Sequence, residues 1–324
     1  MEDPLDRVVS GSPLLNMLYR AAFDTLLPLF LFGSIKFERR ENCFSVADDV
    51  MGTFLTLRPK YLETIRGNVA QVLGIPANSQ EAELLARRVA RQFAYSWVDF
   101  FRFGQRPLCE TLDNFETLVG DHHVREVVDS GKGAIFLTAH GGNYELGALL
   151  LKKMGLWLKM HIVYKPSRFS MAERIRDYLR QQCGVVGVPV DGLGYSTIQL
   201  LKLIREGHAV GMQGDRDFSH NGIAIPFFGR EAFFPRGPWE LAALTGCPVI
   251  ATFFYMDDEM RFGAHFDPPI HIDGARRARE ASIKGAMLHY VSTLEDLVRR
   301  HPDQWYCFYP FWDDPVRKNS TDGQ

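Results

Sequence analysis

Cysteine is scarce in this chain: five in 324 residues, at positions 43, 109, 183, 247 and 307, with no C-x-x-C pair. An odd, scattered set argues against a disulfide framework or a structural zinc site and fits a reducing cytosol. An excess of one charge is missing too. The 37 basic residues face 39 acidic ones, which excludes a polycationic nucleic-acid binder and leaves any anionic partner to be met locally. Long hydrophobic runs are also absent. The greasiest segment, residues 12 to 37, is interrupted by Arg20 and Asp24, and its longest uncharged stretch, 25 to 35, falls well short of the ~20 apolar residues of a spanning helix. It reads either as a helix lying on a membrane surface or as one packed on its own domain. The opening Met1-Glu2-Asp3 carries no basic region or cleavage signal, so no secretory peptide is expected. A serine nucleophile elbow, G-x-S-x-G, does not occur, nor does a G-x-x-x-x-G-K-[ST] phosphate loop.

What is present is enough apolar sequence, 46% of the chain, to bury a large α/β core. From Pro59 to about residue 130 the pattern is helical, clearest where Leu84, Leu85, Val89, Phe93 and Trp97 recur at helical spacing behind an Asn78/Glu81 capping box. The aromatic end of that stretch, 93 to 103, is expected to be core. From Gly133 onward, short apolar runs such as "GAIFLTAH", "LKMHIVYK", "VVGVPV", "HAVGMQGD" and "CPVIATFFYM" alternate with helical segments. That rhythm predicts an α/β fold with a mainly parallel central sheet flanked by helices. Gly184, Gly207 and Gly246 stand where helices should stop, "RFGAHFDPPIHI" suggests an edge strand, and a long helix is expected from about 275 to 300. The expected division is a helical segment over 1–58, a main domain over 59–316 and a disordered tail over 317–324.

The stretch "FLTAHGGNYELG", 136 to 147, places His140 at a strand end, two glycines at a corner and Glu145 at a helix mouth. Sites in parallel α/β sheets form at the carboxyl ends of strands. Gly141 and Gly142 permit a sharp turn and Asn143 can cap the helix that follows. This predicts an imidazole and a carboxylate brought together, with Glu145 fixing the His140 tautomer and leaving the other ring nitrogen to take a proton from a hydroxyl. The ordinary alternative is a strand-end histidine beside a carboxylate that favours a helix N-terminus.

The arrangement "HGGNYE" resembles the H-x4-D/E signature of glycerolipid acyltransferases. Two further blocks, "DRDFSHNGIAIPFFGREAFFPRGPWELAALTGCPVI" at 215 to 250 and "HPDQWYCFYPFW" at 301 to 312, narrow the likeness to the bacterial lipid A biosynthesis acyltransferases. It runs from roughly residue 60 to 313. The resemblance implies transfer of a fatty acyl group from a thioester, on acyl carrier protein or CoA, to a hydroxyl of a membrane lipid or glycolipid precursor. It makes His140 the base and Glu145 its partner, with no cofactor beyond the thioester co-substrate. It also implies work at the cytoplasmic face of the inner membrane, peripherally or weakly anchored.

Within that likeness, the family's arginine before a glycine falls best on Arg180, as a ligand for a phosphate-bearing substrate. Asp215 and Asp217 match its D-x-D and are expected to position the acceptor or order the site. Phe227 and Phe228, with Phe233, Phe234 and Trp239, either line an acyl groove or form ordinary core. Backbone N–H groups at Gly142 and Asn143 are the expected oxyanion donors, with Arg180 second. The last block lacks the basic residues usual in the family, so the acceptor stays open among lipid A, other glycolipids, phospholipids and amino-acid lipids. Two other readings compete: a glycosyltransferase holding a divalent metal on Asp215 and Asp217, and a catalytically silent lipid-binding relative.

Overall fold

The computed structural model describes residues 38–103, 115–153, 159–166, 170–182, 184–190 and 195–313. The apolar segment at 12 to 37, the tail at 317 to 324, Cys109 and Cys183 lie outside them. Among the described residues no helix is long and apolar enough to cross a membrane, and Cys43, Cys247 and Cys307 are buried free thiols.

Three helices come first: α1 (Arg40–Leu57), α2 (Pro59–Leu73) and α3 (Gln80–Phe103). Pro59 starts α2, where its missing N–H is not needed. Ala82, Ala86 and Ala90 are fully buried along α3, and their small side chains let neighbouring helices approach closely. The helix is capped one residue later than the sequence suggests, because Ser79 Oγ, not Asn78, accepts the Ala82 N–H at 3.2 Å. A buried ion pair joins this layer to itself and to the sheet. Asp99 is fully buried and accepts two hydrogen bonds from the Arg40 guanidinium, at 2.8 Å each, while Arg40 also donates to the Met260 carbonyl.

Next come β1 (Phe115–Val119), α4 (Asp121–Asp129), β2 (Ala134–Thr138), α5 (Tyr144–Lys153), β3 (Met160–Tyr164), α6 (Ser170–Gln182), β4 (Val185–Pro189), α7 (Tyr195–Arg205) and β5 (Ala209–Gln213). A hairpin, β6 (Ile223–Phe227) and β7 (Arg230–Phe234), precedes α8 (Gly237–Thr245), β8 (Val249–Met256), β9 (Phe262–Phe266) and α9 (Arg279–Arg300). The seven-stranded sheet runs β1-β9-β8-β2-β5-β3-β4 and is parallel except where β8 meets β9. The α/β expectation therefore holds, as do the helix stops at Gly184, Gly207 and Gly246, all with positive φ.

Two local expectations do not. Strand β1 lies in a region whose pattern looks helical; only five residues long and with a largely exposed side-chain pattern, it carries too little burial to show a period. "RFGAHF" is no edge strand, because β9 sits between β1 and β8. Its prolines, Pro268 and Pro269, follow the strand and so never interrupt the ladder.

Two apolar layers cover the sheet. One packs α5, α6 and part of α3 on one face through Phe136, Leu146, Leu150, Met160 and Leu179. The other packs α7, α8 and α9 on the opposite face through Ile135, Leu137, Val210, Trp239 and Tyr290. Alternation along β2 feeds both, as its successive side chains point to opposite faces.

The hairpin settles the phenylalanines. Its two-residue turn is Phe228-Gly229, both at positive φ (48° and 75°), which is the twist a tight hairpin prefers. Phe228 is held there by its N–H on Glu295 and its carbonyl on Gln71. Phe227, Phe234 and Trp239 are buried in the core, Phe227 stacked on Trp312, and none of the five expected groove residues lines the cavity described below. Phe227, Phe228, Phe234 and Trp239 are core and Phe233 is exposed on the surface, so none of the five forms the expected groove. Removing Arg40 should strand the Asp99 charge in the interior: Arg40→Ala is expected to cost about 3–5 kcal/mol of unfolding free energy in guanidinium titration.

Candidate active site

Strands β2 and β5 are parallel neighbours with Thr138 opposite Gln213, so two residues further on His140 and Asp215 emerge side by side at the carboxyl edge of the sheet. His140 Nδ1 lies 2.7 Å from Asp215 Oδ1, and the His140 backbone N–H donates to Oδ2 at 3.0 Å. The Trp305 indole N–H donates to the same Oδ2 at 3.2 Å. Asp215 is thus gripped from three directions, with 2% of its side chain exposed against 13% for His140.

The corner itself is fixed by the C-terminal block. Gly141 bridges to Trp305, Tyr306 N–H donates to the His140 carbonyl at 2.7 Å, and Gly142 N–H donates to the Gln304 carbonyl at 2.9 Å. Gln304 in turn pairs its side chain with both backbone groups of Met256. Gly142 has φ +54°, and a Cβ there would stand 1.9 Å from the Phe254 carbonyl oxygen, so only glycine fits. With its N–H committed to Gln304, Gly142 is not an oxyanion donor, which corrects that expectation. Asn143 is buried; its side-chain oxygen accepts the Leu146 N–H at 3.4 Å, as a helix cap does.

Glu145 is not the partner of His140. It takes a fork of hydrogen bonds from Arg180 Nε and Nη2 (3.1, 2.8 and 2.9 Å), with Arg176 at 3.8 Å. Arg180 is buried on α6 and needs a carboxylate close by, while the turn at Gly142 places Tyr144, not Glu145, beside the imidazole, 5.9 Å between ring centres. Arg180 thus gives Nε and Nη2 to Glu145, while its Nη1 lies 3.6 Å from Asp177 without a hydrogen bond. Asp217 also differs from expectation: its Oδ2 accepts the Gly222 N–H at 2.7 Å and shapes the loop leading into the hairpin. Among the described residues no group of three His, Cys, Asp or Glu side chains is arranged to hold a metal, and Asp215 is spent on His140 and Trp305.

The His140 ring lines a cavity of about 400 Å³ between the sheet and helices α3, α5 and α6. Its walls are mainly apolar, with Trp97, Ala148, Leu151, Met160 and Ile162 among them, while Arg176, Arg180 and Arg216 also border it. Of these only Arg180 was singled out from sequence as a site residue, and two of the others show why. Trp97 looks like core because its helical spacing is that of a core position. Arg216 sits unremarked between the two aspartates; its guanidinium donates to the Tyr306 carbonyl at 2.7 Å and lies 5.1 Å over the Tyr309 ring.

The electrostatics favour a neutral imidazole bound to an ionised carboxylate. Burial lowers the His140 pKa, the Asp215 charge opposes this, and Arg216 adds to the lowering. Burial pushes the Asp215 carboxyl up, but His140 and Arg216 outweigh it and hold it below the usual carboxylate range. Nδ1–H then donates to Asp215, and Nε2 keeps a lone pair for the cavity. A side-chain NMR titration is expected to place the His140 midpoint below the ordinary ~6.5. Asp215→Asn should lower it further, since the carboxylate is the group that raises it; a midpoint raised by that substitution would contradict this arrangement.

Residues 28–313 match the family model described as "Bacterial lipid A biosynthesis acyltransferase". The chain is 26% identical over 255 residues to a phosphatidylinositol mannoside acyltransferase of Mycobacterium tuberculosis, covering 77% of each. It is 25% identical over 259 residues to the enzyme of that name in Mycolicibacterium smegmatis, covering 77% of this chain and 79% of the relative. The chain belongs to the bacterial lipid A biosynthesis acyltransferase family and is an acyltransferase.

Proposed function

We propose that this protein moves a fatty acyl group from a thioester, on acyl carrier protein or CoA, to a hydroxyl of a membrane glycolipid. His140 is the base and Asp215 the residue that orients it. The observation that carries the reading is the imidazole held by Asp215 at the edge of a mostly apolar cavity. The relatives' names support a glycolipid acceptor, and the family description leaves a lipid A precursor as the second candidate. A water-soluble thioester donor combined with a lipid acceptor supports work at the cytoplasmic face of the inner membrane, with the protein peripheral to it or weakly anchored.

In the step itself, His140 Nε2 takes the proton of the acceptor hydroxyl as its oxygen attacks the thioester carbonyl carbon. The tetrahedral adduct collapses, the C–S bond breaks, and the thiolate recovers the proton from the imidazolium, leaving an ester and a free thiol. A positioned base contributes on the order of 10²- to 10⁴-fold. Asp215 secures the tautomer that presents the lone pair and stabilises the imidazolium that forms. The reaction needs no cofactor besides the thioester. Glu145 supports the site from behind, by fastening α5 to α6 through Arg180.

His140→Ala and Asp215→Asn are each expected to lower kcat by ~10² or more in protein that remains folded by circular dichroism, with some fall in melting temperature because each disturbs the buried Asp215 pair; near-parent turnover in either would overturn the dyad. Glu145→Gln should show itself first as a drop in melting temperature, because it leaves the buried Arg176 and Arg180 short of a charge partner. Mass-spectrometric lipid profiling of cells with and without the protein tests the acceptor: one glycolipid lighter by a single acyl chain is expected. An unchanged lipidome would favour a silent lipid-binding protein, and acyl transfer retained in chelator would remove the metal-dependent glycosyltransferase alternative.

A further inference from the structure

Acyl transfer builds negative charge twice, first on the thioester carbonyl oxygen and then on the departing sulfur. The backbone N–H that Gly142 could have offered is committed to Gln304. We infer that Arg216 is a catalytic residue: its guanidinium, fastened beside the His140 corner and without a carboxylate partner among the described residues, donates to the carbonyl oxygen of the tetrahedral adduct. This rests on the acyl-transfer reading of the same cavity.

Three arginines border that cavity, and two of them are neutralised. Arg180 forks onto Glu145, while Arg176 pairs with Glu173 and stands 3.8 Å from Glu145. Arg216 differs. Its contacts among the described residues are the Tyr306 carbonyl, which accepts from Nη2 at 2.7 Å, and the Tyr309 ring, whose centre lies 5.1 Å from Cζ. A guanidinium carries five N–H donors, so most of them remain available. The position of the group is tightly constrained. Asp215, the preceding residue, binds the His140 ring, and Tyr306, whose carbonyl holds Arg216, gives its own N–H to the His140 carbonyl at 2.7 Å. One residue therefore ties the guanidinium to the corner that carries the imidazole. Its charge acts on His140, Asp215 and Tyr144 alike.

Before reaction such a cation is unfavourable, because it opposes protonation of the base. The reaction reverses this. As the hydroxyl oxygen bonds to the carbonyl carbon, its proton passes to Nε2 and the carbonyl π pair moves onto oxygen. The imidazolium thus appears together with a negative oxygen, which a fixed guanidinium in a poorly solvated site stabilises without reorganising. Arg216 donates N–H to that oxygen and undergoes no covalent change. The pair returns as the C–S bond breaks, and the thiolate takes the proton from the imidazolium. A further cation on the lining, Lys165, is exposed and lies over the Phe218 ring, where water and salt screen it.

Arg216→Gln and Arg216→Lys test this on the full chain. Two donors carry the same dodecanoyl group, one as the CoA thioester and one as the N-acetylcysteamine thioester, with octyl mannoside as acceptor. The second donor and the acceptor contain no phosphate, so a residue that only binds a substrate phosphate would matter for the CoA thioester alone. Arg216→Gln should lower kcat ~10²- to 10³-fold with both donors while KM stays within about threefold. Arg216→Lys keeps the charge without the fork and should recover about tenfold of that loss. The pH profile is a readout that a purely structural role leaves in place. Asp215, Arg216 and Glu145 are the charges acting on the His140 ring, and Arg216 is the one that lowers its pKa. The limb of kcat/KM that rises with pH should therefore move to higher pH in Arg216→Gln and keep its parent position in Arg216→Lys. A loss confined to the CoA thioester, a change in KM alone, parent kcat in Arg216→Gln or an unmoved limb would each overturn the assignment. If Arg216→Gln does not fold, Arg216→Lys decides. Without the fork it cannot hold Tyr306 and the adduct at once, so kcat should still fall about tenfold or more, and parent kcat would overturn the role. No transfer by the parent chain with either donor removes the acyl-transfer reading and this role together; transfer by the parent that the substitutions leave intact removes the role alone.

Discussion

The site depends on one buried carboxylate. Asp215 lies at the end of a central strand, where an unpaired charge would be prohibitive. It is accommodated because the His140 backbone N–H, the His140 ring and the Trp305 indole all donate to it. Those three donors come from two distant parts of the chain, so satisfying the charge also assembles the site. The Trp305 contact brings in the C-terminal block, whose backbone then holds Gly141, Gly142 and the His140 carbonyl. The imidazole is thereby fixed in orientation and tautomer before any substrate arrives, which is the form of preorganisation that a general base needs.

A second charged assembly does different work. Glu145 and Arg180 are both nearly excluded from solvent and meet in a two-pronged geometry. Their helices, α5 and α6, form the roof above the cavity, and the pair holds that roof at a set distance from the sheet. The proposed base and the cavity's helical wall are thus held by separate buried carboxylates, Asp215 on the sheet edge and Glu145 between helices. On the opposite face of the sheet the aromatic core around Phe227, Phe311 and Trp312 fills the space beneath the hairpin, and the Tyr290 hydroxyl donates to the Thr138 carbonyl, bracing β2 from behind.

The amino-acid sequence alone determined the α/β class, the strand and helix alternation beyond Gly133, the family likeness and the position of His140 just past a strand end. Each of these is a local or short-range property, recorded in spacing and in turn residues. Strand β1 escaped because five half-exposed residues leave no period to detect. Tertiary structure decided the partner of His140. Glu145 is five residues away in sequence and Asp215 seventy-five, and nothing in spacing says that β5 lies beside β2 with Thr138 opposite Gln213. The fate of the phenylalanines was likewise undecided, since an aromatic residue in a strand looks the same whether its ring meets core or cavity. Which rings and which carboxylates meet depends on strand order and register, and these are set by packing across the whole sheet, where no local pattern records them.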